Sequence, residues 1–349
     1  MTTATAAPAD LVRALTARAP GAQPPPAFRE LEEAAHRIMP ELGVLRPSIG
    51  DTPLVEVGSA AGHGRVLLKL ESGNTTGTVK ARTAYALLCA AVVREGSRRV
   101  RVVEYSGGSL ALALAEFCSL LELDLHLVVP DGTTERLRRT LRGHGATVSN
   151  GRPGTGFLGA MDEAVRVAAR EGRQLLLQHC AAEATAVHRD LTGAEIVAAL
   201  TARGLRPAAL SAAVGSGGTL LGTSLAVGAV WPDCRMLAVF PAEAPYATPL
   251  PPDGARRMSG TGGLGHSLPQ PLLEHHVDAF EFPTIDYRDA LHAMRLLRST
   301  YQLAVSSSAA GAWLSASAAV DQGAPGQVAV AVAAARGTYE EWAHAESEH

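Results

Sequence analysis

Short apolar runs alternate with longer helical stretches from about residue 49 to the C-terminal region, and this alternation most restricts the fold. Runs at 66–70, 100–105, 123–129, 209–214, 236–240 and 328–334 have the length and bounding turns of strands, and a further strand is expected at 175–178. Helical patterns follow at 80–94, 109–121, 133–145 and 220–230. Strands separated by helices cannot be joined as hairpins. The order predicts an α/β protein with largely parallel sheets flanked by helices. Ligands in such sheets sit beyond the carboxyl ends of strands, so the glycine-rich turns there are the places to search.

Composition narrows the classes. The chain has 349 residues, 47% hydrophobic and 19% charged, enough to bury a sizeable core. Net charge is −3 and aromatics are 4%, which disfavours nucleic acid as a partner. No run approaches the roughly 20 apolar residues of a membrane span. Cys89, Cys118, Cys180 and Cys234 never form Cys-x-x-Cys, so free thiols in a cytoplasmic protein are expected. Residues 1–20 include Asp10 and no continuous apolar core, so no secretory signal is read there. Residues 1–38, with Pro24-Pro25-Pro26, read as a loosely packed extension.

Three glycine-rich turns stand out. Glu71 to Lys80 resembles a P-loop, but Thr78 and Val79 separate Gly77 from Lys80, so the Walker spacing fails. Gly260-Thr261-Gly262-Gly263-Leu264-Gly265 has the dinucleotide-binding letters, but Arg256-Arg257-Met258-Ser259 precedes it instead of an apolar strand. Gly215-Ser216-Gly217-Gly218-Thr219 has the right context, between an apolar strand and an apolar helix. It offers backbone N–H groups, a helix N-terminus and two hydroxyls to an anion. A lysine opening one helix and a phosphate cup opening another suit one cofactor, pyridoxal phosphate, which needs an amine for its aldehyde and a cup for its phosphate.

Other signals carry less. Arg136, Arg138, Arg139 and Arg142 read as a solvated helix face. His275-His276 lacks further ligands at metal spacing, so no metal is expected. His266 is a candidate contact for a substrate side chain or phosphate.

With these residues in hand, the chain resembles the cysteine synthase and cystathionine β-synthase family of fold-type II pyridoxal-phosphate enzymes, of the tryptophan synthase β-like superfamily. Ile49-Gly50-Asp51-Thr52-Pro53-Leu54-Val55 is similar to the family's opening motif. Leu68 to Glu71, Asn74 and Gly77 to Arg82 resemble its lysine motif. Pro130-Asp131-Gly132, Arg138 with Gly145-Ala146, Thr192-Gly193-Ala194-Glu195-Ile196, the cup, and Ser306 to Ala310 follow in register. The resemblance makes Lys80 the Schiff-base lysine and catalytic base, and Gly215, Ser216, Gly217, Gly218 and Thr219 the phosphate site. It makes Ser106, Gly107, Gly108, Ser109 and Gln178 the substrate-binding residues.

There are departures. Tyr105-Ser106-Gly107-Gly108-Ser109-Leu110 stands for the family's Thr-Ser-Gly-Asn-Thr-Gly, and Gly108 has no amide to replace that Asn. Arg336 stands where the family has a Ser beside the pyridine nitrogen, with Thr338 as the rival. Arg has no acceptor, so Arg336 could only donate to an unprotonated ring nitrogen.

The resemblance implies two domains, a large one from 39–85 plus 191–349 and a small one from 86–190, in a homodimer that takes a small amino-acid substrate. The expected reaction is β-replacement on O-acetylserine or O-phosphoserine through an aminoacrylate, giving cysteine or a related β-substituted alanine. The alternatives are β-elimination, as in serine and threonine dehydratases, and a degenerate paralogue that only binds a partner.

Overall fold

A computed structural model describes residues 25–248, 256–261 and 269–348. Its framework is two sheets. Strands β1 (Leu54–Gly58), β2 (Arg65–Leu70), β3 (Arg101–Tyr105), β4 (Asp124–Val129), β5 (Thr147–Asn150), β6 (Gln174–Leu175), β7 (Pro207–Ala213), β8 (Arg235–Pro241), β9 (Thr284–Ile285) and β10 (Val328–Ala333) run in chain order. The larger sheet has the order β1-β2-β10-β7-β8-β9, the smaller β5-β4-β3-β6. Among the strand pairs of the described residues, β1–β2 alone is antiparallel. The mixed, mainly parallel α/β fold expected from the alternation is the fold observed.

Both faces of each sheet are covered, as parallel sheets require. Leu67, Val330 and Leu210 face the helices Ala194–Ala202 and Gly218–Val230. Leu68, Ala331 and Ala209 face Tyr287–Tyr301 and Ser307–Asp321. In the smaller sheet Val102 and Leu127 pack on Lys80–Glu95 and Ser109–Leu120, whereas Val103 and Val128 pack on Gly156–Glu171. Neighbouring residues on one strand thus enter different cores, the period-2 consequence of the pleat.

Two expectations change. Residues 28–38 are not loosely packed. Phe28–Ile38 is a helix whose Phe28 and Ala35 lie in the core, and Phe28 meets Tyr85 edge-on at 6.0 Å. Its Phe28 amide also donates to Asp190 at 2.7 Å. An amphipathic stripe with a buried aromatic anchor outweighs the alanine-rich composition around it. The strand expected at 175–178 ends at Leu175, because Leu177 turns left-handed at φ 56° and accepts a bond from the Cys180 amide.

Among the described residues no helix is long and apolar enough to cross a membrane. All four cysteines are buried and none is in a disulfide.

Candidate active site

The turn before Lys80 is pinned from both sides. Gly77 needs its positive φ of 71°. The Val79 amide then donates to the Ala334 carbonyl at 2.8 Å, and Thr78 bridges Ala335, so the turn is tied to the end of β10. Below it lies a buried ion network that the sequence reading did not foresee. Arg82 is fully buried and donates to Glu71 and to Glu195, each at 2.7 Å. Lys69 reaches Glu195 at 2.5 Å, Thr52 donates to Glu71 at 2.7 Å, and Asn74 donates to Glu71 at 2.9 Å. Several of the matched motifs, distant along the chain, therefore meet in one scaffold that fixes the first turn of the Lys80–Glu95 helix.

Lys80 stands half-buried on the wall of a cavity of about 860 Å³ that opens between the two sheets. Burial brings its ammonium down from 10.5 to about 8, against the opposing pull of Glu104. Glu104, fully buried at the end of β3, is pushed up to about 8 by burial, while nearby amides and Lys80 act in the other direction. Neither of its carboxylate oxygens has a hydrogen-bond partner. Lys80 lines the cavity and Glu104 does not; a lysine on a cavity wall with its ammonium brought toward neutrality suits proton transfer.

On the opposite side, Gly215, Ser216, Gly217 and Thr219 line the same cavity. Gly217 has φ 94° and opens the Gly218–Val230 helix, whose first N–H groups have no intrahelical acceptor. A Cβ at Gly215 would come within 2.6 Å of the Gly260 carbonyl, and one at Gly217 within 2.9 Å of Leu273. Only glycine fits this cradle. Thr219 is oriented from behind by His188, a buried imidazole 3.2 Å away that also lies 3.1 Å from Thr83 and 2.9 Å from Thr192. His188 sits in a π-helical segment, His188–Gly193, packed on the cup helix. No spacing rule pointed to it.

The third wall is the turn after β3. Gly107, Gly108 and Ser109 line the cavity; a Cβ at Gly107 would meet Thr133 at 2.8 Å. Three expected residues do not line it. Ser106 is buried and its hydroxyl accepts the Gly108 amide at 3.4 Å, so it shapes the turn from behind. Gly218 is buried against Ala184, inside the helix start. Gln178 is buried beyond the left-handed Leu177, which carries it off the line of β6. Arg336 does line the cavity, though exposed, just after the Ala335 carbonyl that accepts the Ser306 amide. Thr338 also lines it, and its hydroxyl accepts the Glu341 amide as a helix cap. Residues 262–268, including His266, lie outside the described residues. A smaller recess of about 340 Å³ beside Arg94 and Glu183 carries none of the glycine-rich turns.

A family model described as "Pyridoxal-phosphate dependent enzyme" matches residues 45–334. The chain belongs to this family. A probable cysteine synthase of Bacillus subtilis (strain 168) is 29% identical over 297 residues, covering 83% of this chain and 93% of the relative. Cysteine synthase B of Escherichia coli (strain K12) is 31% identical over 187 residues, 52% of this chain and 60% of that protein. Among solved structures, a hydrogen sulfide-producing enzyme of Fusobacterium nucleatum superposes with a TM-score of 0.78 at 21% identity, over 88% of this chain and 92% of that one. An O-ureido-L-serine synthase gives 0.76 at 22% identity, over 85% and 92%. These structures share the fold-type II architecture.

The residues present fit the family's cofactor. The cavity offers an amine in part neutral near pH 8, a glycine cradle that no side chain could share, and the buried, unpartnered hydroxyl of Thr76 on its wall. The protein is a pyridoxal-phosphate-dependent enzyme.

Proposed function

We propose that the chain catalyses β-replacement on an activated L-serine, O-acetylserine or O-phosphoserine, giving cysteine or a related β-substituted alanine. The observation that carries this reading is the meeting of Lys80, the Gly215–Thr219 cup and the Gly107–Ser109 turn on one cavity. Pyridoxal phosphate, when bound, supplies an aldehyde that captures amines and an electron sink that acidifies the α-carbon.

The chain's own residues do the rest. Gly215, Ser216, Gly217 and Thr219 would hold the phosphate through amides and hydroxyls, backed by the helix N-terminus. Arg336 is proposed beside the ring nitrogen. The Ser109 hydroxyl and the amides of its turn would grip the substrate carboxylate and set the α-proton toward Lys80. Lys80, with its ammonium near 8, would take that proton and return it at the end of the cycle.

A domain division at the two sheets, a homodimer and cytoplasmic residence belong to the same proposal; four buried cysteines outside any disulfide support a reducing compartment. Release of acetate or phosphate from the two serine esters, with and without a thiol, tests the reaction. Release that depends on the thiol supports replacement.

A further inference from the structure

One helix that the sequence presents as a solvated basic face has a second use. Its arginines are not equivalent. Arg138 is buried and donates to the carbonyls of Thr133, Pro130 and Asp131 and to Asn150, so it fixes the loop that begins the helix. Arg142 pairs with Glu135 at 3.4 Å. Arg139 does not reach the cavity. Arg136 does, from the first turn of Glu135–Gly143, and among the described residues its guanidinium has neither hydrogen bond nor ion pair.

The remaining charges of the cavity are spoken for. Lys80 and Arg336 are assigned to the cofactor. Glu341 is consumed by the Ser307 amide and hydroxyl and by the Thr338 amide. The Glu340 carboxyl is held below its ordinary range first by its own backbone amide and by Thr338, with Arg136 the smallest influence, and among the described residues Glu340 and Arg136 form no ion pair. The cofactor phosphate has the cup and the α-carboxylate has the Ser109 turn. A third cation, free and at the exposed side of the cavity, therefore has no anion yet.

We infer that Arg136 is a specificity-determining residue that binds an oxyanion on the group exchanged at the β-carbon, either on the leaving group or on the incoming nucleophile. This rests on the replacement reading above. A guanidinium offers two parallel donors to a phosphate or carboxylate, which gives direction as well as charge. Arg136 is exposed and shares the cavity lining with Tyr339, Glu340 and Glu341 of the C-terminal helix Tyr339–Ser347, so it is open to a molecule bound there.

The test uses the holoenzyme in wild-type, Arg136→Gln and Glu340→Gln forms. One arm compares O-phosphoserine with O-acetylserine, each with 2-mercaptoethanol. The other compares mercaptoacetate with 2-mercaptoethanol, each with O-acetylserine. In one arm Arg136→Gln should lower kcat/KM for the anionic member about tenfold and leave the neutral member within about twofold. The arm affected says which group carries the oxyanion. Glu340→Gln should keep or sharpen the preference for the anion. Equal losses on all substrates in both variants would mean a charge latch across the mouth, and would overturn the inference.

Calorimetric titration of the same holoenzymes with inorganic phosphate and with glycolate gives a readout free of turnover. Binding of either probe that weakens about tenfold in Arg136→Gln supports the site. If neither probe binds, or both bind the variant as they bind the wild type, the inference falls. Arg136-dependent binding without turnover of either serine ester would uphold the oxyanion site and remove the replacement reading.

Discussion

His188 holds Thr219 from behind the phosphate cup: the imidazole Nε2 lies 3.2 Å from the Thr219 hydroxyl, inside a cluster with Thr83 and Thr192. Burial, with Arg82 and Lys80 nearby, holds His188 neutral well below the ordinary histidine range. Removing it in His188→Ala leaves the buried hydroxyls of Thr83 and Thr192, and the half-buried one of Thr219, without this partner. Each unsatisfied group costs about 1–3 kcal/mol. The expected result is a cofactor Kd raised at least tenfold, measured by equilibrium dialysis.

The same residue gives a signed pH dependence. Its folded value is depressed, so its contribution to stability is full above the unfolded histidine value near 6.5 and is lost as pH falls below it. Urea midpoints of wild type and His188→Asn should converge as pH drops from 7 to 5. Parallel midpoints would assign the loss to other groups.

A second prediction concerns the cup. Gly217 has φ 94° and a neighbour 2.9 Å from any added Cβ, whereas Ser216 contributes one hydroxyl. Gly217→Val should therefore abolish cofactor retention, with Ser216→Ala costing tenfold or less. Equal, negligible losses in absorbance titrations would move the phosphate elsewhere.

The substrate turn should separate from the cofactor site. Ser109→Ala should leave cofactor binding intact and weaken amino-acid binding about ten- to a hundredfold, the loss of one bond to a carboxylate. Spectral titration with O-phosphoserine reads this directly. An unchanged titration would make Ser109 structural.

Lys80 and Glu104 give a fourth. Because burial lowers Lys80 to about 8, its neutral fraction rises through that pH and not through 10.5. Cofactor uptake by the apoenzyme, followed by stopped-flow absorbance, should speed up from pH 7 with a midpoint near 8 and level off above about 9. Glu104 is the charge that raises Lys80, so Glu104→Gln should shift the midpoint lower. A midpoint unmoved by that substitution would break the link between them.

What could be read without the structure follows from the range of the forces involved. The cup and the Lys80 turn were legible because glycine at a strand-to-helix junction reports backbone geometry locally. Arg82 was visible only as a motif letter; its meaning depends on Glu71 and Glu195, brought together by folding. His188 lies 31 residues from Thr219, and nothing in its neighbourhood signals a role. Gln178 was misplaced because four apolar and polar letters cannot reveal that Leu177 turns left-handed. Composition makes residues 28–38 part of a loose extension, whereas their place is decided by Phe28 against Tyr85.

The most direct measurement is mass spectrometry of the products formed by the holoenzyme from O-acetylserine and from O-phosphoserine, each offered sulfide, a thiol and an amine. The account predicts a new amino acid whose mass equals alanine with the nucleophile at its β-carbon, and its loss in Lys80→Ala. Pyruvate and ammonia alone, unaffected by any nucleophile, would make the enzyme an eliminating lyase and contradict the replacement assignment.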